Sequence, residues 1–181
     1  MFLYYYIIHI IIYYTYNNIT MNYPLKYLPW RLSTKDRKQQ LKQLKISRDA
    51  YKKHIYITRS KVKSYTSKKS QHILKAQKIY KLKNISVNAN LSKKTGCSIK
   101  ALNKIVNKGR GDYFSSGSRP NQTAESWGLA RLASSITGGK AAAVDYSILE
   151  QGCSNHSKAL KLAKQAKKKH GHGTRRVAKV S

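Results

Sequence analysis

The sequence predicts a mainly α protein: a small helical core with a helix-turn-helix-like hairpin, flanked by basic extended or helical arms. Three observations lead there. Apolar residues recur at helical spacing in several separate runs, short polar residues that can cap a helix stand ahead of those runs, and Gly-rich stretches divide them. A chain of 181 residues has room for one ordinary domain plus extensions.

Residues 1–20 read as an apolar N-terminal extension, with no charged side chain before Lys26. The stretch from Phe2 to Tyr16 is shorter than the roughly 20 residues that span a bilayer as a helix. It also lacks the basic start and small-residue cleavage site of a secretory signal. Three readings stand side by side: membrane contact through residues 2–16, a buried strand or interface suited to Ile and Tyr, or an untranslated extension with Met21 as the initiator.

Residues 21–83 read as a basic helical arm. Ser33 or Thr34 can cap a helix whose stripe begins at Leu41, Leu44 and Ile46 and runs toward Tyr51. "HIYITRSKVKSY", from His54, alternates more like a strand. Ser70 then precedes a second helical run through Ile73, Leu74, Gln77 and Tyr80. Asp36 and Asp49 are the only acids here, so the Lys and Arg side chains cannot be satisfied by internal ion pairs. Cations interleaved with Tyr suit contact with phosphates and stacking on bases, or a basic surface that meets an acidic protein.

Residues 84–152 read as the compact core. In "LSKKTGCSIKALNKIV", Leu91 and Ser92 fall in a first helix, Gly96 at the turn and Cys97 inward, with Leu102 and Ile105 on the buried stripe of a second helix that Ser98 caps. If the hairpin reads a groove, Ser98, Lys100, Asn103 and Lys104 lie on or near the face that enters it. The same pattern also describes a hairpin that only packs.

The stretch "KGRGDYFSSGSRPNQTAESWG" begins as a loop, with Gly109, Gly111, Gly117 and Pro120. Thr123 then caps a helix that carries Glu125 in its first turn. Trp127, Ala130, Leu132, Ala133 and Ile136 form one side of that helix, and Gly138 and Gly139 end it. Backbone N–H groups in such a loop can hold an anion, with Lys108, Arg110, Ser116, Ser118, Arg119 and Asn121 as the candidate contacts. The spacing is not that of a P-loop.

Residues 153–181 read as a cationic tail. Ala159, Leu160, Leu162, Ala163 and Ala166 give it a short helical face, and Lys167, Lys168, Lys169, Arg175 and Arg176 are its candidate phosphate contacts.

Thirty-seven Lys and Arg against six Asp and Glu give a net charge of +31. Such a chain repels itself until a polyanion neutralises it. Nucleic acid is the expected partner, DNA ahead of RNA, with acidic capsid or virion proteins as the alternative. The two cysteines, Cys97 and Cys153, are expected to be reduced. No metal site and no cofactor is expected, and no catalytic residue stands out: Asp112, Glu125, Asp145 and Glu150 show no pairing that forces a two-carboxylate site. The enzyme reading is therefore the last alternative, with a ligand pocket at the Gly109 to Trp127 stretch.

The strings "GRGDYFSSGSRPNQTAESWGLARLASSITGGKAA", "TGCSIKALNKIVNKG", "YLPWRLSTKDRKQQLKQLKISRDAYKK" and "YITRSKVKSY" resemble an uncharacterised domain-of-unknown-function family of nucleocytoplasmic large DNA viruses. A related core occurs in tailed phages. The resemblance covers about Tyr27 to Cys153, and "SSGSRPNQT" and "SWG" with "ARLAS" are its most specific strings. Where that family is expected to read Gly-Ala-Tyr-Tyr, this chain has Gly111, Asp112, Tyr113 and Phe114. The resemblance implies a viral origin and no reaction. It points to the virion and the infected host cell, in a cytoplasmic viral factory or the nucleus.

Overall fold

The computed structural model describes residues 23–171. The apolar extension and the expected contacts Arg175 and Arg176 lie outside the described residues. After a short 3-10 turn, Leu25–Tyr27, come eight helices: α1 Thr34–Lys52, α2 Gln71–Tyr80, α3 Ala89–Thr95, α4 Ile99–Ser115, α5 Ala124–Ile136, α6 Lys140–Val144, α7 Tyr146–Gly152 and α8 Lys158–His170. The mainly α fold expected from sequence is the fold observed.

Most helix starts follow from one residue each. Ser33 accepts from the Asp36 N–H, Asn88 from Leu91, Ser98 from Ala101 and Ser157 from Leu160, each satisfying a donor that the first helical turn leaves open. Thr123 and Ser126 close a reciprocal capping box at α5.

The centre of the molecule is the crossing of α4 and α5. Leu102, Ile105 and Val106 of α4 meet Leu132, Ala133 and Ile136 of α5, all essentially buried. Here the structure corrects the expected loop, because Gly109 through Ser115 continue α4. Leu102, Val106, Gly109 and Tyr113 fall four, three and four residues apart, so the buried stripe of the helix runs through Gly109 rather than ending at it. A Cβ on Gly109 would lie 2.7 Å from the Gly128 Cα, and one on Gly128 would lie 2.7 Å from the Val106 carbonyl. Two glycines let the helix backbones touch. The loop proper is shorter, from Ser116 to Thr123, and its turns use Gly117 at φ 92° and Asn121 at φ 58°.

A smaller cluster of Tyr23, Tyr27, Leu28, Leu41 and Leu44, with Trp127 packed against it, joins the 3-10 turn to α1, and α1 reaches α4 through Ser47 and Arg48, which donate to the carbonyls of Phe114 and Ser115. Helix α8 buries Ala159, Leu160, Ala163 and Ala166 against α6, α7 and α5.

The segment expected to be a strand, from His54, forms none. Its backbone groups are taken by side chains instead of a neighbouring strand. The Asn121 amide accepts from Val62 N at 2.8 Å and donates to Val62 O at 3.0 Å, Tyr113 Oη accepts from Arg59 N at 3.1 Å, and Asp36 accepts from Ser64 N at 2.6 Å. This segment, residues 54–65, straps across the end of α4, and its own Arg59, only 9% exposed and without a carboxylate partner, turns inward. It donates to Ser47 Oγ, Tyr113 O and Ser118 Oγ at 3.0, 3.0 and 2.8 Å, and its guanidinium lies 3.7 Å from the Tyr113 ring centre.

Cys97 and Cys153, expected as thiols, form a disulfide. An antiparallel bridge brings them together: Ser98 N donates to Gly152 O at 2.7 Å and Ser154 N to Gly96 O at 2.8 Å. Closing a loop across 56 residues removes unfolded-state freedom worth about 4 kcal/mol in the chain-entropy account.

Asp145, fully buried between α6 and α7, carries the main ion-pair network. Arg131 of α5 grips it in a fork, Nε to Oδ2 at 2.9 Å and Nη2 to Oδ1 at 2.7 Å, while Lys108 Nζ of α4 donates at 3.0 Å and Ser135 Oγ at 2.9 Å. Arg131 also pairs with Asp112 of α4. One carboxylate therefore joins α4, α5, α6 and α7.

Two stability predictions follow from this packing. Gly109→Ala should lower the melting temperature by several degrees, since overpacking costs about 1–3 kcal/mol and outweighs the better helix propensity. Gly111→Ala should leave it unchanged or raise it, because its Cβ meets only Tyr51 Oη at 3.5 Å. Equal losses in the two variants would refute the close crossing. Asp145→Asn strands two cations, and its denaturant midpoint should fall by the equivalent of about 3–5 kcal/mol.

Candidate nucleic-acid interface

All six carboxylates of the chain are engaged within the described residues. Asp145 and Asp112 hold Arg131 and Lys108, Glu125 holds Arg110, and Asp49 holds Lys52. Asp36 takes the Ser64 N–H, which with the Ser64 hydroxyl holds its carboxyl below the usual range, and Glu150 accepts from Tyr146 Oη at 2.8 Å. Only Lys52, Lys108, Arg110 and Arg131 have a carboxylate partner among the described residues. The other described Lys and Arg have none: most face water, while Arg37, Arg48, Arg59 and Lys75 donate to backbone carbonyls or hydroxyls.

The expected contact residues divide into two groups. Lys100, Asn103 and Lys104 are exposed along one face of α4, with Asn107 continuing it a turn later. Ser98 at its start spends its hydroxyl as a cap, with Ala101 N donating to it at 3.3 Å. Lys167, Lys168 and Lys169 are exposed in the last turn of α8, far along the chain from the α4 group. Arg119 and Ser116 are also exposed.

The remaining residues already have partners within the chain, whether exposed or buried. Lys108 and Arg110 are tied to Asp145 and Glu125. Ser118 is fully buried against Arg59, and the Asn121 amide is spent on the strap, reaching Val62 and also Tyr65 O at 2.5 Å. The "SSGSRPNQT" string is thus largely a hub for other segments, and of its polar residues Arg119 is the one that offers a charge outward.

Arg119 does not stand alone. Lys26, His72, Lys75 and Lys140 come to the same side of the molecule from three other segments. The Lys26 ammonium lies 5.3 Å from the Tyr27 ring centre and 6.0 Å from that of Trp127, and these two rings meet edge to face at 5.8 Å. Lys75 Nζ donates to Thr137 O at 3.0 Å, and the His72 ring lies 3.4 Å from the point where a Cβ on Gly139 would sit, beside Lys140.

The electrostatics agree with this convergence. Burial first, then Arg119 and Lys140, hold the Lys26 ammonium below its ordinary value; burial first, then Lys75 and Arg119, do the same to His72. Near Lys26, Trp30 is 81% exposed with the Arg31 guanidinium 5.1 Å from its ring centre. Sequence reasoning missed Lys26, Trp30, His72, Lys75 and Lys140 because each is one basic or aromatic residue among many. Only the docking of α2 and the 3-10 turn along α5 gathers them.

A second basic surface lies on α8, where Lys158, Lys161, Lys164, Lys167, Lys168 and Lys169 are all exposed. Lys164, Lys167 and Lys168 line a shallow cavity of about 310 Å³ with Tyr146, whose ring centre lies 4.0 Å from Lys167 Nζ.

The model of a family of unknown function, DUF5824, matches residues 24–155. No curated protein and no solved structure matches the chain. The matched residues run from the start of the small aromatic cluster, through the Arg59 strap and the α4–α5 crossing, to the disulfide at Cys153. The chain therefore belongs to the DUF5824 family of unknown function.

Proposed function

We propose that this protein binds nucleic acid, DNA ahead of RNA, through its basic surfaces, as a viral protein that is packaged in the virion or works in the viral replication compartment. The observation that carries the reading is the placement of the carboxylates. All six are committed to partners within the chain, and only four of the described Lys and Arg have a carboxylate partner, so most of the cationic charge is left without local compensation. Neutralisation has to come from a polyanion.

The shape of the surface supports a duplex. Helices α3 and α4 make a hairpin about Gly96 in the left-handed conformation, and α4 carries Lys100, Asn103, Lys104 and Asn107 along its outer face. Lys suits phosphate, and an Asn amide can pair with the adenine edge in a major groove. The viral assignment rests on the sequence resemblance and on a composition rich in Ile, Asn, Lys and Tyr that suits an AT-rich genome.

A second reading, a virion structural protein bridging acidic partners, is favoured by one feature. Ile55, Tyr56 and Ile57 form an exposed run, 54, 63 and 36% accessible, that a protein surface would cover.

Binding to a short DNA duplex, followed by fluorescence anisotropy against salt, tests the proposal. With six to ten phosphate contacts the affinity should fall by about 10³ to 10⁵ between 50 and 200 mM salt. Lys100→Ala with Lys104→Ala should reduce the slope by about two, and Asn103→Ala should weaken base preference with little change in slope. Affinity that stays flat across this salt range would rule the reading out and favour a protein partner.

A further inference from the structure

Five basic side chains from four separate segments come within reach of one another's charge: Lys26 from the 3-10 turn feels Arg119 from the α4–α5 loop and Lys140 from the start of α6, and His72 of α2 feels Lys75 and Arg119. None has a carboxylate partner among the described residues. Gathering like charges is unfavourable, and two of the five register it: Lys26 is pushed down by burial, Arg119 and Lys140, and His72 by burial, Lys75 and Arg119. A bound anion would reverse both effects.

The floor of this group is aromatic. Tyr27 and Trp127 pack edge to face beneath the Lys26 ammonium, and Trp30, four residues beyond Lys26, projects into solvent at 81% exposure. An indole left so exposed, with a guanidinium against it, is a platform on which a base can stack. Phosphate charge and base stacking are thus offered together, which is how proteins hold a single strand. A duplex keeps its base faces covered.

We propose that Lys26, His72, Lys75, Arg119 and Lys140 form a phosphate subsite for the backbone of a single nucleic-acid strand, with a neighbouring base stacked on Trp30. The proposal rests on the nucleic-acid reading above and adds to it a second mode of contact, separate from the outer face of α4. Lys75 enters with part of its hydrogen-bonding capacity already given to Thr137 O, so Lys26, Arg119 and Lys140 are the freer phosphate donors. Burial, Lys75 and Arg119 disfavour the charged His72 ring, and a phosphate arriving beside it would favour its protonation.

The chain's two tryptophans are Trp127, in the floor of this group, and Trp30, its proposed stacking platform, so intrinsic fluorescence reports on the proposed site. Full-length protein is titrated with a thymidine homo-oligonucleotide, with a duplex of equal length and with inorganic phosphate, while the His72 ring signals are followed by NMR across pH 5 to 8. The single strand should quench the fluorescence and move the His72 titration to higher pH. Trp30→Ala should weaken single-strand affinity about tenfold, and Lys26→Gln with Arg119→Gln at least as much. Lys100→Ala with Lys104→Ala should leave quenching and the His72 shift in place. Thermal melts of the variants check that these exposed positions leave the fold intact.

Several results would overturn the proposal. If the oligonucleotide binds while the His72 signals stay still and Trp30→Ala binds like the wild type, the strand lies elsewhere and the nucleic-acid reading survives. If inorganic phosphate saturates the site as tightly as the oligonucleotide, the occupant is a free phosphate. No binding to either oligonucleotide would remove the broader reading as well.

Discussion

The constraint that organises this molecule is charge. Thirty-seven cations repel one another and six carboxylates are available to oppose them, so where those six are placed decides what can fold. Asp145 is set at the junction of α6 and α7, fully buried, where Arg131 and Lys108 reach it from α5 and α4. Asp112 and Glu125 add further α4 to α5 links through Arg131 and Arg110. Asp36 holds the strap after α1 to the start of that helix. Four of the six acids are used as fastenings between elements, and the surface is left basic as a result.

The same economy shows at the α4–α5 crossing. Gly109 and Gly128 bring two backbones into contact, and this close approach places Arg131 within reach of Asp112 and Asp145. Beyond the crossing, the short loop from Ser116 to Thr123 anchors residues that are distant in sequence: Arg59 to Ser118, and Val62 and Tyr65 to Asn121. A segment that looked like an open anion-binding loop is therefore mostly occupied in holding the strap. What it leaves free, Arg119, joins cations from other segments at the edge of α5.

Much of the architecture was legible in the sequence. Ser33, Ser98 and Thr123 announce the helices they cap, because an N-cap is a local interaction between a side chain and the next turn of its own backbone. The hairpin about Gly96 was readable for the same reason, since a left-handed residue between two apolar stripes is a local event. The alternation in "HIYITRSKVKSY" misled: alternation says that a segment is extended, and whether its N–H groups meet a strand or the side chains of Asn121 and Tyr113 depends on distant residues. Gly109 misled as a turn signal because a helix also uses glycine where another helix must come close; Gly111 simply continues the same helix.

By itself the sequence determined the helical class, most helix starts and the net charge, since these depend on neighbours within a few residues or on composition alone. The exposed face of α4 with Lys100, Asn103 and Lys104 also belongs to that part, because helical periodicity separates it from Leu102 and Ile105. Tertiary structure alone decided the Cys97–Cys153 bond, the burial of Ser118, the network around Asp145 and the convergence of Lys26, His72, Lys75, Arg119 and Lys140. Each of these joins residues tens of positions apart. Such a juxtaposition is set by which helix faces pack together, and no local pattern encodes it.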